Sequence, residues 1–356
     1  MAQSCDRIVS GLRALDLRVD VVHLTKKRRR SDSGNKHTGF DLCWPLGEQA
    51  EHELNLLWNR LENDKEVYCA VIAFGAHYAL LSARNFSAWL GLPLVTLVRG
   101  NDFDSSVFDL RRWHLVSEVY RASKKVLCVS QDKVKKIRAL LPHVDVEWVA
   151  NGINLKHWRK TPSLERKACA IRNTFPPDRK TIGLIGELKA KKGGLFFLET
   201  LKRSSLSDSF HLLLVGYMEP ALKEYLEENQ QHFSFTSIEF VDRQMLISYY
   251  LACDCLCIPS FYDGMPNVLL EGGGLGMPIL ASKVSGMADV LTHQESALLF
   301  EPGNTYDLHR QLDYIVTARV EDLTRLGHTL QAMIANHYTQ SAEALAYHEA
   351  ICSVSH

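Results

Sequence analysis

The sequence has no apolar run near the roughly 20 residues that a membrane-spanning helix needs. Its N-terminal stretch MAQSCDRIVSGLRALDL mixes charges into the apolar positions and contains no signal-peptide core. Basic and acidic residues number 41 each, and a formal net charge of zero argues against a strongly basic nucleic-acid-binding surface. We therefore expect a cytoplasmic protein that does not bind nucleic acid.

Metal-ligand patterns are also scarce. The 15 histidines show no HxxxH spacing, and the nine cysteines are not paired as CxxC. Cys253, Cys255 and Cys257 are spaced by two, which places them on one face of a strand. This spacing favours buried strand cysteines over a metal site, and we expect no bound metal.

Short runs rich in β-branched residues alternate with helical patterns along the chain. The predicted strands are 18–24, 67–74, 93–100, 125–130 and 144–150, then 181–188, 210–218, 237–242, 253–260 and 277–283. Strands separated by helices predict βαβ units and parallel sheets. A polar stretch that ends at Pro176-Pro177 separates the two series and is typical of a linker.

The sequence therefore predicts an α/β fold with two Rossmann-like domains. The boundaries are 1–160 for the N-terminal domain and 175–330 for the C-terminal domain. The last segment, 331–356, is predicted to be helical and to cross back to the N-terminal domain.

The stretch SFYDGMPNVLLEGGGLGMP follows a predicted buried strand and begins a helix. Pro266 suits the first helical position, and the N–H groups at a helix start attract anions. Asn267, Glu271 and Gly274 share one helical face, where an acid can accept ribose hydroxyls behind a phosphate. Asp263, in the preceding loop, can accept hydroxyls of a sugar beyond the phosphates. A surface helix with two unrelated acids and packing glycines fits the same spacing.

The longer segment PSFYDGMPNVLLEGGGLGMPILASKVSGMADV resembles the donor-site signature of family 4 (group 1) retaining glycosyltransferases, which have the GT-B fold. IGLIGELKAKKGGLFFLETL, FHLLLVGY and VEWVANGINLKHW resemble other segments of that family in the right order, and the likeness spans about 90–330. It implies two Rossmann-like domains that face each other across a cleft. The C-terminal domain would bind a nucleotide-sugar and the N-terminal domain a glycan, lipid-linked or small-molecule acceptor.

Carried over residue by residue, the resemblance implies that Glu271 holds the ribose, Asp263 contacts the donor sugar and Lys192 binds the diphosphate. Arg99 stands where the family often has His, and we expect it to hold a phosphate or an acceptor acid as a third catalytic candidate. The remaining substrate-binding candidates, which would lie near the sugar and diphosphate, are Gly186, Lys189, Gly264, Met265, Pro266, Asn267 and Val268. The donor is a substrate, and retaining members use neither metal nor cofactor.

Two departures from the family pattern support an alternative. Glu187 replaces a basic residue, and a carboxylate beside a diphosphate is repulsive unless Lys189 or Lys191 supplies the charge. The family's first strand and its glycine-rich loop are missing, since the chain begins at what would be the first helix. The alternative is a catalytically impaired GT-B protein that acts as a binding or partner subunit; a GT-B nucleotide-sugar epimerase is a more distant one.

Two weaker patterns lie in the N-terminal half. Asp102-Phe103-Asp104 has the acid-x-acid form that chelates metal in the unrelated GT-A glycosyltransferases, although three-residue patterns occur by chance. The basic segment 26–37 is predicted to be a loop, and its residues Lys26–Arg30 fit either a solvated loop or a peripheral contact with an anionic membrane or acceptor.

Overall fold

The computed structural model describes residues 2–25, 30–47, 49–75, 78–99 and 102–355. It divides into two compact units. The first unit is Met1–Ala150 together with Gln340–His356, and the second is Asn151–Thr339. The boundary falls at residue 150/151, ahead of the polar stretch that suggested a linker, and only the last helix of the segment 331–356 belongs to the first unit.

The secondary structure alternates along both units. The helices are α1 (Ala2–Arg13), α2 (Ala50–Asn63), α3 (Tyr78–Leu90), α4 (Asp102–Val107), α5 (Leu110–Ala122), α6 (Gln131–Leu140), α7 (Pro162–Arg172), α8 (Gly194–Arg203), α9 (Pro220–Glu228), α10 (Arg243–Leu251), α11 (Asn267–Gly274), α12 (Ser285–Ala288), α13 (Thr305–Thr317), α14 (Val320–His337) and α15 (Gln340–Cys352). The strands are β1 (Val21–Thr25), β2 (Ser31–Asn35), β3 (Gly39–Pro45), β4 (Val71–Phe74), β5 (Leu94–Val98), β6 (Lys125–Cys128), β7 (Val146–Trp148), β8 (Lys180–Ile185), β9 (Phe210–Val215), β10 (Ser234–Ile238), β11 (Cys255–Ile258), β12 (Ile279–Ser282) and β13 (Leu298–Phe300).

The strands of the first unit form two sheets. One is the all-parallel sheet β4-β5-β6-β7. The other has the order β1-β3-β2, with β1 parallel and β2 antiparallel to β3. In the described chain a helix, α1, precedes β1.

Three local predictions in the first unit need correction. The predicted strand 67–74 begins only at Val71, because Lys65–Val67 form a 3₁₀ turn. The basic segment predicted as a loop contains the exposed strand β2, which pairs with β3. The strand β3, which is the central strand of this sheet and partly buried, was not predicted from the sequence.

The helix α15 belongs to the core of the first unit. Tyr347 and Ala350 of α15 are buried with Ile8 and Leu12 of α1, in a cluster that includes Val95 of β5. Burial of each larger apolar side chain in this cluster contributes about 1.5–3 kcal/mol to the stability of the fold. The last helix is therefore fixed to the first helix and to the four-stranded sheet.

The second unit has a single parallel sheet of order β10-β9-β8-β11-β12-β13. Numbered within the unit, this is the order 3-2-1-4-5-6 of a Rossmann fold. The order reverses between β8 and β11, and loops that leave the carboxyl ends of these two strands diverge there. Such a switch point is where ligands bind in open α/β sheets.

Two predictions in the second unit shift. The polar stretch expected as a linker contains α7, whose start is capped by the Thr161 hydroxyl with Pro162 in its first turn. The strand predicted at 237–242 lies at Ser234–Ile238, because its backbone pairs with β9 from Ser234 onward.

The two strands that flank the switch point, β8 and β11, are part of the core of the second unit. Ile182 and Leu184 of β8 are buried, as are Cys255 and Cys257 of β11. Burial raises the pKa of the Cys255 thiol to about 12, so this thiol stays neutral and unreactive at neutral pH.

Candidate functional site

The loops after β8 and β11 meet at the switch point of the second unit. The Phe261 amide donates to the Lys191 carbonyl oxygen at 3.0 Å. Gly193 has φ +70°, and a Cβ there would lie 1.9 Å from the carbonyl oxygen of Pro259. Only glycine allows both this backbone conformation and this approach. The glycine of the KKGG segment thus joins the two loops.

Lys192 and Asp263 are brought together by this contact. Lys192 ends a 3₁₀ turn after β8, and its ammonium forms an ion pair with the Asp263 carboxylate in the loop after β11. The two side chains keep 28% and 16% of their surface exposed, so an incoming anion has access to the lysine. The sequence placed these residues 71 positions apart, and the fold makes them direct neighbours.

The loop after β11 leads into α11, whose start has no side-chain cap. Pro266 is the N-cap residue rather than the first helical residue, and it provides no side-chain cap. Asn267 and Val268 begin the helix, and Val268 lies against Gly186, where a Cβ would be 3.6 Å from its methyl group. The start of α11 therefore faces the end of β8, with its positive dipole end at the switch point.

Neighbouring backbone holds the loop before α11 in place. The Asn151 side-chain amide donates to the Met265 carbonyl oxygen at 2.8 Å, and both residues are buried. Gly286 lies against Gly264, since a Cβ on Gly286 would be 1.7 Å from the Gly264 carbonyl oxygen. The sequence analysis missed both supports. For Gly286, the sequence offers no signal beyond the presence of a glycine in the segment KVSGMADV.

Glu271 lies one turn into α11 and is only partly exposed. The hydroxyl of Tyr250, on α10, donates to Glu271 Oε2 at 2.7 Å. Burial, followed by the nearby Glu271 charge, raises the pKa of Tyr250 well above its usual value. Tyr250 therefore stays neutral and remains a hydrogen-bond donor to the carboxylate. It was not among the predicted site residues.

The glycines after Glu271 have a packing role. A Cβ on Gly272 would lie 2.2 Å from Leu256 of β11, and one on Gly273 would lie 2.3 Å from Ile334 of α14. A Cβ on Gly274 would approach Leu155 to 3.0 Å. These glycines let α11 press closely on the sheet and on α14, which explains why three occur in succession despite a cost of about 1 kcal/mol each in a helix.

The two other charged candidates in the β8 loop pair with each other. Lys189 Nζ lies 2.7 Å from Glu187 Oε2, and this bond lowers the pKa of the Glu187 carboxyl. Glu187 keeps 64% of its side chain exposed. The carboxylate that replaces the family's basic residue is thus partly neutralised by its own neighbour.

Arg99, the third catalytic candidate, belongs to the first unit and follows β5. Its guanidinium lies 3.2 Å from the Glu343 carboxylate of α15 and also bonds the Tyr347 hydroxyl. Arg7 of α1 binds the same carboxylate at 2.7 Å. Glu343 has 1% of its side chain exposed, so this cluster is a buried ionic anchor for the last helix.

The weaker sequence patterns have the following places. Asp104 pairs with Lys133 and Lys136 of α6, while the side chain of Asp102 lies outside the described residues. Of the basic stretch Lys26–Arg30, only Arg30 is described, and it pairs with Glu53. Within the described ranges, no three or more His, Cys, Asp and Glu side chains cluster as a metal site. No described helix combines the length and the apolar character needed to cross a bilayer.

Comparison with known proteins finds a family model that matches most of the second unit. Residues 179–318 match the family described as Glycosyl transferases group 1. The chain is 22% identical over 292 residues to the 2-deoxystreptamine N-acetyl-D-glucosaminyltransferase of Niallia circulans. This match covers 78% of this chain and 73% of that protein. Matches to two further curated glycosyltransferases span only 51% and 52% of their lengths.

Solved structures extend the likeness to the whole fold. Sucrose-phosphate synthase from Thermosynechococcus elongatus superposes with a TM-score of 0.79 at 17% identity, over 98% of this chain and 92% of that one. Anabaena Alr3699/HepE, solved in complex with UDP-glucose, gives a TM-score of 0.70 at 16% identity, over 87% and 85% of the two chains. At these identities the likeness shows the fold.

Proposed function

We propose that the chain is a group 1 glycosyltransferase with the GT-B fold, and that it moves a sugar from a nucleotide-sugar to a hydroxyl of an acceptor with retention of configuration. The observation that carries this proposal is the pairing of Lys192 with Asp263 at the switch point between β8 and β11. It combines a cation for a diphosphate with a carboxylate for a sugar, at the sheet edge where such ligands bind.

In this proposal the diphosphate lies between the two loops. Lys192 supplies the main charge, Lys189 a more exposed one, and the start of α11 contributes about 0.3–1 kcal/mol through its dipole. The backbone of Gly186 and of the segment Gly264–Val268 borders the same space. This positive environment stabilises the leaving nucleoside diphosphate without a protein-bound metal.

The two carboxylates have separate roles. Glu271 accepts the ribose hydroxyls and thereby holds the nucleotide. Asp263 releases Lys192 to the diphosphate and accepts a hydroxyl of the donor sugar. Interactions with the sugar act on the atom where charge changes, whereas the ribose is the same in the ground and transition states.

The reaction then proceeds on one face of the sugar. The bond between the anomeric carbon and the diphosphate oxygen breaks as the acceptor oxygen bonds to that carbon from the same side. The proton of the acceptor hydroxyl passes to an oxygen of the leaving diphosphate, and the products are the glycoside and a nucleoside diphosphate. Retention is tested by the anomeric coupling of the product in proton NMR, and metal independence by full turnover in excess EDTA.

Relatives supply the first donor and acceptor classes to test. One solved neighbour binds UDP-glucose and one curated relative transfers N-acetylglucosamine to 2-deoxystreptamine, so UDP-sugars are the first donors to test. Glycans, lipid-linked sugars and aminocyclitols form the first acceptor panel. That the first unit holds the acceptor, with Arg99 as a contact, and that the protein works in the cytoplasm, stay predictions.

The test separates the two carboxylates. We expect Glu271→Gln to weaken binding of the bare nucleoside diphosphate about tenfold, measured by calorimetry. We expect Asp263→Asn to lower turnover about tenfold or more, measured as released nucleotide, without weakening that binding, because it removes a competing carboxylate beside Lys192.

Two results would contradict the proposal. If neither variant changes binding or turnover, the acids are structural. If the wild type binds a nucleotide-sugar but never turns it over with the acceptor panel or with water, the protein is a binding or partner subunit instead.

A further inference from the structure

Tyr250 is buried from solvent, and its hydroxyl donates a hydrogen bond to a candidate site residue. It lies on α10 with none of its surface exposed. Its hydroxyl donates to Glu271 Oε2 at 2.7 Å, which is the ordinary length of a charge-assisted bond between two oxygens. The bond therefore links the protein interior to the carboxylate of a partly exposed residue.

The ring of Tyr250 has little freedom to move. Trp158, itself 2% exposed, packs edge-to-face against it with ring centroids 5.6 Å apart at 87°. The ring also lies beside Gly272 of α11, where a Cβ would be at ordinary contact distance, 3.6 Å from Tyr250 Cε1. A hydroxyl on a ring held in this way is a fixed donor rather than an adaptable one.

A fixed donor matters because glutamate is otherwise mobile. Ordering a long polar side chain costs rotamer entropy. If the protein orders the carboxylate before a ligand arrives, the ligand does not have to meet that requirement. A carboxylate oxygen has more than one lone pair, so Oε2 can accept from Tyr250 and still accept from a ligand hydroxyl.

We propose that Tyr250 is a positioning residue, which fixes the Glu271 carboxylate for the ribose of the donor and thereby sets a preference for ribonucleotides over 2′-deoxyribonucleotides. This inference rests on the proposed function, because it takes Glu271 as the ribose contact. A purely structural tyrosine would hold α10 against α11 without affecting which sugar the nucleotide carries.

The experiment compares Tyr250→Phe with the wild type. This substitution keeps the ring and its contact with Trp158 and removes only the hydroxyl. UDP, GDP and ADP are screened by calorimetry on the full chain, and the tightest one is titrated again as its 2′-deoxy form. We expect the wild type to prefer the ribonucleotide, and Tyr250→Phe to weaken the ribonucleotide about five- to twentyfold and the 2′-deoxy form less, so that the preference shrinks at least threefold.

Tyr249→Phe is the matched control, because it removes a hydroxyl from the next residue of the same helix. It should leave the preference as in the wild type. Thermal unfolding of both variants establishes that they are folded at the titration temperature.

The outcomes separate the two hypotheses. If the wild type binds none of the three nucleotides, the proposed function fails and this inference with it. If the wild type binds with a preference that Tyr250→Phe leaves unchanged, or if both nucleotide forms weaken equally, the proposed function stands and Tyr250 is only a packing residue.

Discussion

Each unit places an acid-base pair beyond the end of a parallel strand, yet the two pairs differ in burial. In the second unit, Lys192 and Asp263 keep 28% and 16% of their side chains exposed. In the first unit, Arg99 and Glu343 keep 11% and 1%, and Arg7 adds a second guanidinium to the same carboxylate. The exposed pair can exchange a partner for a ligand, whereas the buried pair holds a helix.

The comparison shows that the position of a charge at a strand end does not identify its function. The sequence predicted a ligand-binding cation in both cases, Lys192 for the diphosphate and Arg99 for a phosphate or an acceptor acid. A ligand that recruited Arg99 would have to replace the interaction with a carboxylate that is out of contact with water, and breaking such a pair leaves a buried charge uncompensated. Lys192 faces a smaller penalty because solvent already screens its pair.

The largest effect expected from this contrast is on the stability of the first unit. Glu343→Gln removes the charge that two arginines share, and we expect the free energy of unfolding to fall by about 3–5 kcal/mol. Urea unfolding followed by circular dichroism measures the change. Hydrogen–deuterium exchange should show faster exchange in α1 and α15 than in the wild type.

The control is Glu349→Gln on the same helix, where the side chain is exposed, and it should change stability by less than about 0.5 kcal/mol. Nucleotide affinity, which we propose resides in the second unit, should be unaltered in both variants. Equal stability of the two variants would show that the Arg7–Glu343–Arg99 cluster is not an anchor.

The next effect is on ligand binding in the second unit. Lys192→Ala should weaken nucleoside diphosphate binding roughly ten- to hundredfold, because a charge-assisted hydrogen bond contributes about 1.5–3 kcal/mol. Calorimetry measures it, with the exposed neighbour Lys191→Ala as the matched control. An affinity equal to that of the control would make Lys192 a surface residue.

Part of that loss would come from Asp263, which loses Lys192 as its partner and then repels the diphosphate. The double variant Lys192→Ala/Asp263→Asn separates the two contributions. We expect it to bind more tightly than Lys192→Ala alone. If it binds as weakly, Asp263 does not face the phosphates.

Sequence patterns predicted the second unit better than the first for a physical reason. The strands β8 and β9 are mostly apolar and are buried along almost their whole length, and such segments have few alternatives to a parallel sheet. In the first unit, β2 is exposed along its whole length and β3 begins with Gly39, whose φ is +108°. Pairing with a neighbouring strand, not composition, makes these segments strands.

The candidate site was predicted in its charges but not in its supports. Asp263, Glu271 and Lys192 belong to motifs that can be read from residue type and spacing. Tyr250 and Asn151 act through a partner far along the chain, at separations of 21 and 114 residues. No local pattern encodes such contacts, because the fold creates them.

The smallest effect should come from Glu187, the residue that departs most clearly from the family pattern. Its carboxylate bonds Lys189 at 2.7 Å and most of its side chain is exposed, so solvent weakens this surface pair. We therefore expect Glu187→Arg to change nucleoside diphosphate affinity by less than about threefold, although it exchanges a negative charge for a positive one, because solvent and the neighbouring lysine already screen the carboxylate. Calorimetry at two salt concentrations measures this, with Glu187→Gln as the neutral control. A gain of tenfold or more at low salt, absent in the control, would mean that residue 187 faces the diphosphate. In that case the contrast between the units would weaken, because the second unit would hold a negative charge that repels its ligand. The result would support the alternative of a catalytically impaired GT-B protein.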